Sequence, residues 1–125
     1  MTNTIKVLVI DDQIFMFNLL QKNFKENGYE DISYAPNGVK ALEMIEKKNY
    51  DLITCDITMP EMDGIETSKR ILEKCPDQKL LMVTAMGQEN IIKRAIEAGV
   101  RHYLLKPFTP EIFRNKINIA LELGD

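Results

Sequence analysis

The sequence has one histidine, two cysteines and few aromatic residues, and these shortages exclude several kinds of site. His102 is the only histidine, so any mechanism that needs two of them is excluded. Cys55 and Cys75 lie 20 positions apart and lack the paired spacing of a zinc site or a redox motif. We expect two reduced thiols, with Cys55 packed inside the apolar run DLITCD, and a polar His102 near a strand edge.

Long apolar stretches and an excess of basic charge are also missing. No run approaches the roughly 20 apolar residues that span a bilayer. Residues 1–10 lack the basic flank and cleavage site of a signal peptide. The formal net charge of -3 offers no broad positive field for nucleic acid. We therefore expect a cytoplasmic protein that binds neither membranes nor nucleic acid.

The chain does contain a regular succession of apolar runs of strand length, with segments of helical spacing between them. The runs are IKVLVI (5–10), DISYA (31–35), DLITCD (51–56), KLLMVTA (79–85) and HYLLK (102–106). At 125 residues the chain has a common single-domain size, and we expect one domain over residues 1–125.

Apolar residues three or four positions apart predict a helix after each run. They are Met16, Leu20 and Phe24, then Val39, Leu42 and Ile45, then Ile65 and Leu72, then Ile91, Ala95 and Ile96, and finally Phe113, Ile117, Ala120 and Leu121. Boundary signals agree, with helix ends at Asn27-Gly28 and Ala98-Gly99 and helix starts at Asn37-Gly38 and Thr109-Pro110. Strict alternation predicts an α/β fold, a doubly wound parallel sheet with helices on both faces.

The residues with chemical potential lie where the predicted strands end. In VLVIDDQIF (7–15) the first strand leads into Asp11 and Asp12, which repel each other and are costly to bury unless a cation binds there. The third strand ends in Asp56, the fourth in Thr84 and the fifth in Lys106, and the carboxyl ends of parallel strands meet at one rim. Carboxylates suit Mg2+, whereas a lysine and a hydroxyl suit a phosphoryl group. We therefore predict a magnesium site beside a phosphoryl group, with Asp56 as the nucleophile.

These residues and their surroundings resemble the receiver domain of two-component response regulators, most closely the stand-alone, chemotaxis-type CheY-like members. The resemblance covers the whole chain and rests on the Asp11-Asp12 pair, DITMPEMDG (56–64), VTAMG (83–87), the spacing from Ala98-Gly99 to Tyr103, and Lys106-Pro107-Phe108. It implies a flavodoxin-like sheet of five strands in the order 2-1-3-4-5 with five helices.

The resemblance also implies a role for each acidic residue. Asp56 would accept a phosphoryl group from a sensor histidine kinase. Asp12, Asp56 and the backbone carbonyl of Thr58 would bind Mg2+ directly, and Mn2+ can substitute for it. Asp11 would act through a coordinated water.

A conformational switch is implied in the same way. Lys106, joined to Pro107 by a cis peptide, would bridge to the phosphoryl group, and Thr84 would move to hydrogen-bond one of its oxygens. Tyr103 would follow Thr84 inward and alter the surface of the fourth helix, fifth strand and fifth helix. A phosphoryl group adds about -1.5 to -2 charges, and only its differential contacts can bias two conformations.

Two further positions concern the lifetime of the phosphoryl group. Thr58 and Met86 lie two residues beyond Asp56 and Thr84, and in the family these positions flank the approach of water. We expect the apolar Met86 to hinder that water and to lengthen the lifetime. Phe17 stands where an arginine is common in the family's first helix, so partner contacts through that helix stay open.

The expected readout is protein contact, because these residues include no output domain. We expect a phosphoacceptor protein that is not an enzyme and is a monomer at rest. Its downstream target would be a flagellar switch component or, if the chain is a phosphorelay intermediate, a histidine phosphotransfer protein. A pseudo-receiver that works without phosphate is disfavoured because every chemical position is filled.

Two protein classes outside the family are alternatives to these expectations. A magnesium-dependent phosphohydrolase with an aspartyl nucleophile usually has a second aspartate where this chain has Thr58, and it needs room for a substrate cap. A flavodoxin-like nucleotide binder needs a phosphate loop rich in Gly, Ser or Thr after its first strand, where this chain is acidic. Both classes are disfavoured.

Overall fold

A computed structural model describes residues 4–57, 62–85 and 89–122. Over these residues five strands alternate with five helices, in the predicted order. The strands are β1 (Lys6–Ile10), β2 (Asp31–Ala35), β3 (Leu52–Asp56), β4 (Lys79–Ala85) and β5 (His102–Lys106). The helices are α1 (Ile14–Glu26), α2 (Gly38–Lys47), α3 (Gly64–Lys74), α4 (Glu89–Glu97) and α5 (Pro110–Ala120).

The strands form one parallel sheet in the order β2-β1-β3-β4-β5 across the described residues. The near-continuous apolar runs of β1, β3 and β4 are explained by this order, because these central strands are covered on both faces. β2 and β5 are the edge strands and are only partly buried. The predicted fold class and strand order are confirmed.

Hydrophobic clusters fill both faces of the sheet. On one face, residues such as Ile71 and Met82 pack between the sheet and α2, α3 and α4. On the other face, α1 and α5 meet over β1, where the rings of Phe24 and Phe113 pack edge to face with centroids 4.9 Å apart. Sheet and helices are thereby held as three layers.

The predicted helix boundaries are also confirmed. The side chains of Asn37 and Thr109 cap α2 and α5 by accepting hydrogen bonds from backbone amides in the first turn. Gly28 and Gly99 follow the ends of α1 and α4 with φ of 88° and 104°, a backbone conformation that favours glycine.

Five details of the prediction are wrong. The last helix ends at Ala120, so Leu121 follows it instead of belonging to it. β1 begins at Lys6 instead of Ile5, and β3 begins at Leu52 instead of Asp51, whose carboxylate accepts a hydrogen bond from the Lys6 amide. The helical spacing predicts that Val39 and Ile96 belong to the apolar stripes of their helices, but these side chains are 44% and 59% exposed. They lie beyond the width of helix that the sheet covers.

The cysteines are free, with Cys55 buried in the core and Cys75 exposed after α3. Burial raises the pKa of the Cys55 thiol to about 12, so it packs as an inert side chain. Within the described residues, no helix combines the length and the apolar character needed to cross a bilayer.

Candidate functional site

The carboxyl ends of β1 and β3 bring three carboxylates together. Asp11 and Asp12 follow β1, and Asp56 is the last residue of the adjacent β3. One carboxylate oxygen from each lies within 4.8 Å of the others. Because β1 and β3 are parallel neighbours, both chains leave the sheet at the same edge. The arrangement gives a group of hard oxygen donors of the kind that divalent cations bind.

Asp11 is the most buried of the three, with 1% of its surface exposed. Its Oδ1 accepts a hydrogen bond from the Gln13 amide at 2.8 Å, whereas its buried Oδ2 has no hydrogen-bond partner among the described residues. Burial raises the pKa of Asp11 to about 6, with a further rise from the charge of Asp56 and an opposing effect of the Gln13 hydrogen bond. A buried carboxylate oxygen beside other carboxylates is stabilised when a cation binds.

Lys106 reaches these carboxylates from the edge strand β5. It ends β5, and its Nζ lies 3.4 Å from Oδ1 of the buried Asp56. β4 lies between β3 and β5, so the lysine side chain spans the end of β4. The peptide bond that joins Lys106 to Pro107 is cis.

An open cavity of about 260 Å3 lies between these residues. It is lined by Asp12, Gln13, Asp56, Ile57, Thr84, Ala85 and Lys106. Thr84 is buried near the end of β4. A nucleophilic carboxylate, a hydroxyl and an ammonium group thus border one space, which can hold a small anionic group such as a phosphoryl group.

Gly64 permits the start of α3 to lie close to the end of β3. Its amide donates a hydrogen bond to the Ile57 carbonyl at 2.7 Å. A Cβ on Gly64 would clash with the Asp56 carbonyl oxygen and would lie 2.6 Å from the Ile57 Cα. The adjacent Asp63 caps α3 by accepting a hydrogen bond from the Glu66 amide. The position of Asp56 therefore depends on a glycine at the start of α3.

Tyr103 does not line the cavity. It lies on β5 opposite Met82, and its half-buried ring packs against the cluster beneath α2, α3 and α4. Thr84 lies two residues after Met82, so Thr84 and Tyr103 point to the same face of the sheet. The Lys116 ammonium group lies 5.2 Å from the centre of the Tyr103 ring. Thr58 and Met86, the remaining predicted site residues, lie outside the described residues.

One contact at the site was missed by the sequence interpretation. The Tyr34 hydroxyl donates a hydrogen bond of 2.7 Å to the backbone carbonyl of Asp11. Burial, and then the charges of Asp11 and Asp12, raise the Tyr34 pKa, so the phenol stays protonated. The sequence did contain one indication that Tyr34 belongs to the site. Tyr34 lies near the carboxyl end of a predicted strand, as the other site residues do.

Comparisons with known proteins find one matching family and several similar chemotaxis proteins. The sequence profile described as the response regulator receiver domain matches residues 7–118. The chemotaxis protein CheY of Bacillus subtilis is 37% identical over 93% of this chain and 97% of its own length. The CheY of Listeria monocytogenes is 38% identical over 83% of this chain and 87% of its own. The structure of the Vibrio cholerae chemotaxis protein CheY4, 27% identical, superposes with a TM-score of 0.87 over 95% of this chain and all of its own.

Proposed function

This chain belongs to the response regulator receiver domain family, and from that premise we propose that it accepts a phosphoryl group on Asp56 in a two-component pathway controlling chemotaxis or motility. The observation that carries the proposal is the meeting of Asp56, Asp12, Thr84 and Lys106 around one cavity. The likeness to two chemotaxis proteins supports the biological setting.

The acidic group fits Mg2+. It offers oxygen ligands only, and the buried Oδ2 of Asp11 has no hydrogen-bond partner among the described residues. Asp12, Asp56 and the Thr58 carbonyl would hold the ion directly, and Asp11 would hold it through water. When bound, Mg2+ or Mn2+ neutralises negative charge on the carboxylates and on the incoming phosphoryl oxygens.

The protein's own residues supply the rest of the chemistry. A carboxylate oxygen of Asp56 attacks the phosphorus of a phosphohistidine on the kinase, and the phosphorus–nitrogen bond breaks as the acyl phosphate forms. The histidine leaves with its bonding electron pair and takes up a proton. Lys106, already 3.4 Å from Asp56, faces the negative charge on the transferred group. Asp56 is consumed in each event, so we propose a phosphoacceptor protein that does not turn over a separate substrate.

The signal would leave through the fourth and fifth helices. Thr84 lines the cavity and shares a face of the sheet with Tyr103. A hydrogen bond from Thr84 to a phosphoryl oxygen would open space toward Tyr103, whose ring would turn inward and change the surface of α4, β5 and α5. Such contacts bias the protein only if they are stronger in one of its two conformations. The downstream target is expected to be a flagellar switch component that prefers the phosphorylated form.

The direct test is labelling with acetyl phosphate in the presence of Mg2+, read by intact mass. We expect one phosphoryl group on the wild type, none on Asp56→Asn and normal labelling of Asp77→Asn, an exposed aspartate away from the site. Labelling that persists in Asp56→Asn would move the acceptor elsewhere. Equal labelling with a chelator present would contradict the metal dependence.

A second measurement addresses the target. The beryllofluoride-bound protein, which mimics the phosphorylated form, is offered separately to a flagellar switch component and to a histidine phosphotransfer protein. Tighter binding to the switch component than shown by the untreated protein supports the proposal. Separately, the protein labelled with acetyl phosphate is mixed with the phosphotransfer protein, and transfer of its phosphoryl group to a histidine there would instead make the chain a phosphorelay intermediate.

A further inference from the structure

Residues of β2 form hydrogen bonds with both the backbone amide and the backbone carbonyl of Asp11. β1 ends at Ile10, yet the Asp11 amide still donates a hydrogen bond to the Ala35 carbonyl at 3.1 Å. The Asp11 carbonyl accepts the 2.7 Å hydrogen bond from the Tyr34 hydroxyl. The first bond continues the strand pairing, whereas the second depends on one side chain.

The position of Tyr34 follows from the register of the sheet. Tyr34 pairs with Val9, so its side chain starts beside β1 two residues before Asp11 and extends along the strand toward the rim. The Phe17 ring of α1 packs on it, with ring centroids 4.5 Å apart and planes inclined by 36°. The phenol is thereby held between the edge of the sheet and α1, with its hydroxyl at the Asp11 carbonyl.

The peptide unit that receives this hydrogen bond joins Asp11 to Asp12. A peptide unit is planar, so a bond to its oxygen also orients the nitrogen and Cα of Asp12. Asp12 lies beyond the last paired residue of β1 and beside two other carboxylates, whose repulsion favours turning it away. The Tyr34 hydroxyl opposes that rotation and adds no charge of its own.

We propose that Tyr34 is a positioning residue for the divalent cation site, acting through the Asp11–Asp12 peptide, and that Phe17 keeps the Tyr34 ring in place. The inference rests on the proposed function, since it requires that the carboxylates bind a cation. The hydrogen bond to the Asp11 carbonyl thus comes from β2, a strand that contributes no carboxylate to the cluster.

The test compares Tyr34→Phe with the wild type by calorimetric titration with Mg2+ alone. Loss of the hydroxyl should weaken Mg2+ binding about tenfold, as for other outer-shell partners of metal ligands. In acetyl phosphate labelling, the Mg2+ concentration for half-maximal rate should rise equally while the rate at saturating Mg2+ stays near that of the wild type. A purely structural role would leave this concentration unchanged.

Two further variants keep the test specific. Tyr29→Phe removes the hydroxyl group of another tyrosine, which is buried and packs against Phe24. The Mg2+ affinity of this variant should equal that of the wild type. Phe17→Leu keeps the Tyr34 hydroxyl but removes its ring support, so a smaller loss of Mg2+ affinity is expected. It also provides a measurement if Tyr34→Phe folds poorly.

Failure of the positioning role and failure of the proposed function give different results. If the wild type binds Mg2+ and is labelled, and Tyr34→Phe or its substitute Phe17→Leu binds Mg2+ as tightly, the positioning role is overturned and the proposed function stands. If the wild type neither binds Mg2+ nor is labelled, the proposed function fails and the inference fails with it. A selective loss in Tyr34→Phe, absent from Tyr29→Phe, supports both.

Discussion

Lys106 Nζ lies 3.4 Å from Asp56 Oδ1, although the residues are 50 positions apart and a third strand separates their strands. The contact places a positive charge against a buried carboxylate, which reduces the cost of keeping Asp56 ionised beside Asp11 and Asp12. An ionised Asp56 is the form that can act as a nucleophile. In the proposed function, Lys106 would therefore stabilise the Asp56 carboxylate before the reaction and face the phosphoryl group after it.

Lys106→Gln should slow acetyl phosphate labelling of Asp56 by roughly 100-fold, comparable to the removal of one preorganised donor from an oxyanion site. The reason is the loss of the only cation lining the cavity within the described residues. The rate is read by intact mass over time. Lys79→Gln is the matched control, because Lys79 pairs with Glu122 away from this cavity. Equal rates for Lys106→Gln and the wild type would contradict the assignment.

Gly64→Ala should destabilise the protein by about 1–3 kcal/mol, the usual cost of overpacking. Its methyl group would meet the backbone of Asp56 and Ile57, which cannot move aside as a flexible side chain can. We also expect slower labelling, since Asp56 would shift. Gly28→Ala is the comparison: its φ of +88° imposes a strain of about 1–2 kcal/mol, but no atom lies within 4 Å of the added Cβ. Urea denaturation and labelling together distinguish an effect on the site from general loss of stability.

Asp11→Asn should stabilise the metal-free protein at pH 7.5 by about 1–3 kcal/mol, the scale of burying an unsatisfied polar group. Asparagine keeps the acceptor for the Gln13 amide. It replaces the oxygen that lacks a hydrogen-bond partner among the described residues with an amide that can donate to neighbouring carboxylates. Urea denaturation with a chelator measures the difference. Added Mg2+ should stabilise the wild type more than the variant. A variant less stable than the wild type without metal would show that the buried charge is already compensated.

His102→Gln should make the free energy of unfolding depend less on pH under acidic conditions. Burial, and then the charges of Arg101, Lys116 and Lys79, lower the His102 pKa below 6.5, with an opposing effect of Glu122. The unfolded chain therefore binds a proton more readily, and the wild type loses stability as pH falls through 6.5 and below. Glutamine has no such proton to bind.

Thermal unfolding at pH 8 and pH 5 tests the His102 prediction. The wild type should lose more stability than His102→Gln over this interval, and the two should respond alike to pH above 7.5, where His102 is neutral in both states. Equal losses on acidification would show that folding leaves the His102 pKa unchanged.

The order of strands and helices was predictable because each element carries its own periodicity. The apolar runs of β2, β4 and β5 coincide with the strands, and Asn37 and Thr109 cap the helices as their residue types indicate. Val39 and Ile96 could not be placed in this way. Helical spacing shows that an apolar stripe exists, but the contact width of the neighbouring sheet decides which members of the stripe are covered.

Local sequence determined which chemical groups stand at the strand ends, because apolar runs must stop where the chain leaves the sheet and meets water. Asp11, Asp12, Asp56 and Lys106 were identifiable on that ground. Only the tertiary structure decided that Asp11 is the deeply buried carboxylate, that Lys106 crosses β4 to reach Asp56, and that Tyr34 bonds to the Asp11 carbonyl. These relationships join strands that are distant in sequence, and they depend on register and depth, which no single strand encodes.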